Sequence, residues 1–139
     1  MTTYYESAVY TMKTYDELYE TGVKYYGDDN NCSVVSLAVA CKVSYGKAFN
    51  VYKKLGRKTG KGTYKEIQMQ AFRELGYKLE RVHCKAKTVK TLPNHLPKQG
   101  QFIAYVRGHV LAIDDGIVKD WTDGCRHRIK EVFRVQKAD

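Results

Sequence analysis

The stretch Asn30-Asn31-Cys32-Ser33-Val34-Val35-Ser36-Leu37-Ala38-Val39-Ala40-Cys41 decides how the first half of this chain is built. Its apolar residues do not alternate. Val34, Val35, Leu37, Ala38 and Cys41 fall mostly three or four apart, the spacing of a helix that buries a face. The valines would also suit a buried strand. Asn31, a good N-cap placed just before the apolar run, tips the balance to a helix that opens at Cys32.

Upstream lies a polar turn, Asp28-Asp29-Asn30-Asn31, preceded by Gly27. Before it, Thr14-Tyr15-Asp16-Glu17 has capping-box spacing and predicts a short helix to about Tyr25. Residues 1–13, rich in Tyr and Thr, read as an extended arm. Downstream, Ser44 caps a predicted helix to Leu55, with Ala48, Val51, Tyr52 and Leu55 on one face. A basic, glycine-rich loop follows, Gly56-Arg57-Lys58-Thr59-Gly60-Lys61-Gly62. A second capping box, Thr63-Tyr64-Lys65-Glu66, opens a further helix whose face reads Ile67, Gln70, Ala71, Glu74 and Leu75, stopping at Gly76.

Beyond Gly76 the period changes. Tyr77 to Val82 alternates like a strand, and a loop with Pro93 and Pro97 follows. Strands are then predicted at Phe102–Val106, His109–Ile113, Ile117–Trp121 and Arg128–Val135. Asp114-Asp115-Gly116 marks a tight hairpin. Helices first and an antiparallel meander second make an α+β fold. At 139 residues the chain is one domain over 1–139.

Composition narrows the function. Apolar residues are 43% and charged residues 28%, ordinary globular usage, so disorder is excluded. No apolar run approaches the roughly 18 residues of a membrane span, and no secretion signal opens the chain. The expected location is therefore the cytoplasm. The net charge of +9 and pI near 9.3 favour acidic partners without choosing among them: nucleic acid, an acidic peptide or protein, or an anionic surface. Twelve tyrosines could stack on bases but more often pack their rings. The four cysteines include no C-x-x-C pair, and His83-Cys84 and Cys125-x-His127 lack structural-zinc spacing, so no metal or cofactor is expected. The glycine loop fails as a phosphate loop. It has three residues between Gly56 and Gly60, Gly62 after Lys61, and a helix ahead of it.

Cys32 stands apart from the other cysteines. At a helix N-terminus the free N–H groups and the positive dipole end favour a thiolate, which is the nucleophilic form. His109 begins the strand Gly108-His109-Val110-Leu111-Ala112-Ile113, and the hairpin returns through Ile117-Val118-Lys119-Asp120-Trp121. With the turn centred near Asp115, His109 and Asp120 fall near one rung of the ladder. An imidazole needs a partner on its far nitrogen to hold the tautomer that takes a thiol proton. Cys32, His109 and Asp120 thus supply a nucleophile, a base and an orienter. Asp114 and Asp115 are taken by the turn.

Asn30-Asn31-Cys32 opening an apolar helix, then Gly108-His109-Val110, then Asp120 on the returning strand, resembles a papain-like cysteine peptidase. The nearest likeness is to compact bacterial and phage members, including those similar to bacteriocin-processing peptidases. It covers about residues 27–121. The middle segments Ser44-Tyr45-Gly46, Gly56-Arg57-Lys58 and Gly62-Thr63-Tyr64 are similar to those of small phage proteins of this type. The resemblance implies a Cys-bearing helix packed on an antiparallel sheet that carries His and Asp, and cleavage of a peptide or isopeptide bond. If the chain is phage-encoded, it would act in the cytoplasm of a bacterial host.

The family often places Gln five or six residues before the Cys; here those positions hold Gly27 and Tyr26. The oxyanion donors must then be Asn30, Asn31 or backbone N–H groups, that of Cys32 among them. Asp29-x-Asn31-Cys32 is also similar to the Cys turn of ovarian-tumour deubiquitinases. Arg57, Lys58 and Lys61 would attract an acidic substrate. Two alternatives share these residues: a non-catalytic basic module for nucleic acid or a host protein, and a thiol acyltransferase.

Overall fold

The computed structural model describes residues 15–138. The extended arm over 1–13 and the Thr14 cap lie outside them. Among these described residues four α-helices precede a five-stranded sheet, the α+β order expected.

Helix α1 (Tyr15–Tyr26) ends at Gly27. Helix α2 (Cys32–Cys41) is buried over its whole length except Cys32. Its burial comes from sequence: beyond Cys32 it carries only small or apolar residues plus Ser33 and Ser36. Asn31 stands at the N-cap but makes no side-chain cap bond. A lost cap is worth about 1 kcal/mol, whereas burying Val or Leu side chains contributes about 1.5–3 kcal/mol each. Packing therefore holds α2. Helix α3 (Tyr45–Lys54) is capped as expected, with Ser44 Oγ accepting from the Lys47 N–H at 3.1 Å.

Helix α4 (Lys65–Glu74) corrects the capping box proposed at Thr63. Tyr64 takes the N-cap position without a side-chain bond, because the Thr63 hydroxyl is engaged with Ser33 Oγ at 3.1 Å. Its buried face is Gln68, Ala71 and Phe72, with Ile67 and Leu75 packed beside it. Gln70 and Glu74 point outward instead, Glu74 pairing with Lys54 at 2.8 Å.

The strands are β1 (Tyr77–Val82), β2 (Gln101–Val106), β3 (His109–Asp114), β4 (Ile117–Lys119) and β5 (Glu131–Lys137). All pairings are antiparallel, in the order β1-β5-β2-β3-β4. The expected meander is thus wrong: the last strand returns between β1 and β2. The β3–β4 turn is Asp115-Gly116, with φ of 49° and 84°. Both values are positive, as a two-residue type I′ hairpin demands, and Gly is the residue that adopts them without strain.

Both sheet faces are covered. Ile103, Val110, Ala112, Phe133 and Val135 pack on the helices. Phe102, Ala104, Leu111, Ile113 and Val132 pack under residues 86–96, where Ala86, Val89, Leu92 and Leu96 close the far side. This explains why β2 and β3 read as continuous apolar runs rather than alternating ones. The Pro93 segment, read as a loop, contains a short 3₁₀ turn (Leu92–His95) that belongs to this second core. Among the described residues no single helix is long and apolar enough to cross a membrane.

Candidate active site

Helix α2 starts at Cys32, and β3 starts at His109; the packing of α2 on β3 brings these two ends together. The thiol lies beside the imidazole and the Val110 N–H, close enough that both shift its protonation. On its far side, His109 Nε2 lies 2.8 Å from Asp120 Oδ2. With Nε2 held by the carboxylate, Nδ1 is the nitrogen left for Cys32. The His109 and Asp120 side chains are only 11% and 2% exposed, so water does little to screen them.

Charge follows this geometry. Burial pushes the Cys32 thiol up, but the His109 hydrogen bond, the Val110 N–H and the imidazolium charge outweigh it and leave the thiol below its ordinary range. Burial pulls His109 down, yet Asp120 and Cys32 together raise it to about 9. The two shifts act in one direction: each favours a thiolate facing an imidazolium. Cys41, on the same helix, has no such partners, and burial drives its thiol up to about 12.

Asp120 reaches His109 by a route different from the expected rung. The β3–β4 ladder ends at Ala112 opposite Lys119. Extending that register would place Asp120 opposite Leu111, two positions from His109. The chain instead leaves β4 after Lys119 and turns. Asp120 Oδ2 accepts from the Thr122 N–H at 3.1 Å and from the Thr122 hydroxyl, and this fixes the carboxylate toward the imidazole. Trp121 lies beyond the strand with its ring 5.1 Å from that of His109. Asp114 and Asp115 stay at the strand end and turn, accepting from Gln101 Nε2 and from the Gly100 N–H respectively.

Cys32 and His109 open onto a cavity of about 310 Å³ lined also by Ser33, Thr63, Gln68 and Tyr105. Asn30 is on its rim. Gln68 is buried, accepts from the Tyr105 hydroxyl at 2.9 Å and donates to the Thr63 carbonyl at 2.8 Å. Its second Nε2 hydrogen remains for a ligand. The reading of α4 that favoured Gln70 overlooked Gln68. The signal was available, since Gln68, Ala71, Phe72 and Leu75 keep the spacing of one face.

Two proposed site residues are corrected. Asn31 is 1% exposed, and its amide donates to the Asp28 carbonyl at 3.0 Å and to the Tyr45 hydroxyl at 3.2 Å. It is turned away from the cavity and cannot serve an oxyanion. Arg57 is not open to substrate. Its guanidinium is bound to the Asp28 carboxylate at 2.8 and 3.0 Å, the Asn30 carbonyl at 2.7 Å and the Lys61 carbonyl at 3.0 Å. The basic loop is therefore clamped against the turn that leads to Cys32. Lys58 and Lys61 remain exposed beside a second cavity. Among the described residues no cluster of three His, Cys, Asp or Glu side chains could hold a metal. Compared with known proteins, the chain matches no family model, no curated protein and no solved structure.

Proposed function

We propose that this chain is a cysteine hydrolase of papain-like architecture, cleaving a peptide or isopeptide bond. One observation carries this reading: Cys32 and His109 line one cavity while Asp120 holds His109 Nε2 at 2.8 Å. A buried cysteine kept only for packing would sit like Cys41, with a raised thiol and no base.

The Cys32 thiolate attacks the carbonyl carbon, and the developing oxyanion is held by the Cys32 N–H at the start of α2 and by the Asn30 side chain. The His109 imidazolium gives its proton to the leaving nitrogen, which departs as an amine. Neutral His109 then takes a proton from water as it attacks the thioester. The acid leaves, and the thiolate–imidazolium pair is restored. Asp120 keeps the ring oriented throughout and stabilises its charge.

The test is incubation of the protein with a peptide mixture, reading new termini by mass spectrometry. New termini are expected with the native chain and none with Cys32→Ala. Absence of cleavage, together with a Cys32 no more reactive than Cys84, overturns the reading.

A further inference from the structure

The cavity at Cys32 adjoins a second one of about 320 Å³ on the other side of Gly62 and Thr63, which line both. The second cavity is lined by Leu55, Ile67 and Tyr64, a residue 81% exposed. Lys58 and Lys61 complete its rim. Neither lysine makes an ion pair among the described residues, and no carboxylate lines either cavity. Arg57 also touches this cavity, but its charge is spent on Asp28.

The Gly62 segment that the two cavities share is uncrowded. A Cβ at Gly62 would meet only the Asn30 amide, at 3.8 Å. Among the described residues the Gly62 N–H and carbonyl have no partner. Such exposed, unpaired backbone suits an extended peptide chain better than a small apolar molecule.

We propose that this second cavity is the specificity subsite of the hydrolase, taking an apolar side chain one or two residues from the reacting carbonyl in an acidic peptide segment. The assignment rests on the cysteine-hydrolase reading above. Leu55, Ile67 and Tyr64 supply the apolar walls, while Lys58 and Lys61 pair with carboxylates on the neighbouring substrate residues. Both lysines are exposed, so they select through steering and salt-sensitive pairing.

The experiment uses acetylated peptide vinyl sulfones, which trap Cys32 by bonding its sulfur to the vinyl carbon β to the sulfonyl group as the double bond opens. The neighbouring carbon takes up a proton. Three probes are compared: Asp-Asp-Leu-Ala, Lys-Lys-Leu-Ala and Asp-Asp-Ser-Ala. Iodoacetamide, too small to use the subsite, reports Cys32 reactivity alone. At low salt the acidic Leu probe is expected to modify Cys32 at least about tenfold faster than either of the others. Lys58→Glu with Lys61→Glu should erase its advantage over the basic probe, and Ile67→Asp its advantage over the Ser probe. Iodoacetamide labelling should be unchanged in both variants, which confirms that they fold. Equal rates for the three probes, or a faster basic probe, with iodoacetamide still selecting Cys32, overturn the subsite and leave the hydrolase reading standing. A Cys32 inert to iodoacetamide overturns both.

Discussion

Arg57 grips the Asp28 carboxylate with two hydrogen bonds, Nη1 to Oδ2 at 2.8 Å and Nη2 to Oδ1 at 3.0 Å, where the two side chains are 2% and 0% exposed. Asp28 also accepts from the Gly60 N–H at 3.0 Å and the Tyr45 hydroxyl at 3.2 Å. Burial raises this carboxyl, but Arg57, Gly60 and Tyr45 together hold it below its ordinary value. The pair ties the basic loop to the turn that presents Cys32.

Arg57→Ala strands that carboxylate, so a loss of about 3–5 kcal/mol is expected, whereas exposed Lys58→Ala should stay within about 0.5 kcal/mol. Urea midpoints measure both. A depressed carboxyl stabilises the fold above its unfolded pKa of about 3.9, and that contribution is lost as pH falls through the lower folded value. The gap between the native chain and Arg57→Ala should therefore be full at pH 7 and narrow below about pH 4.

Cys32 should be the first of the four cysteines to alkylate in a brief iodoacetamide pulse, followed by peptide mass mapping. Its rate should rise through an inflection below the ordinary thiol value of about 8.5. His109→Ala removes the imidazolium that lowers this thiol, while burial remains. The inflection should move up, and labelling at pH 7 should slow by about tenfold or more. Preferential labelling of Cys84 or Cys125 in the native chain would argue against the dyad.

Asp120→Ala removes the acceptor of His109 Nε2 and should cut turnover of any cleaved peptide by about a hundredfold or more. Asp120→Asn keeps the size of the group and should cost less. Thr122→Val deletes the hydroxyl that orients Asp120 and should give a smaller loss in kcat, with KM little changed. Asp115→Asn, at the turn, should leave turnover unaltered; its loss there would mean that the acid has been misassigned.

Gly22 sits where α1 crosses the start of α2. A Cβ there would come within 2.4 Å of both Asn31 Nδ2 and the Tyr45 hydroxyl. Gly22→Ala should cost about 1–3 kcal/mol through overpacking, although alanine favours helices elsewhere. Thermal melting checks the sign, because a gain would mean that the contact is absent in solution.

What the sequence determined by itself was local. The spacing in residues 32–41, the Ser44 cap and the Asp115-Gly116 turn each act through neighbours along the chain, and each is legible there. The candidate nucleophile and base could be named because their positions, a helix start and a strand start, follow from the same short-range patterns. Tertiary structure decided the rest. Strand order depends on packing both faces of the sheet, so nothing near β5 announces that it inserts between β1 and β2. The contact of His109 with Asp120 comes from the chain turning at Thr122 rather than from ladder register. Arg57 looked like an open cation because its partner, Asp28, lies 29 residues away in sequence. Asn31 looked like a cap for the same reason, since its acceptors include Tyr45, which reaches it only after α2 and α3 fold together. Side chains that satisfy one another across such separations are invisible to periodicity, and their pairing removed Arg57 and Asn31 from the cavity while leaving Lys58 and Lys61 exposed.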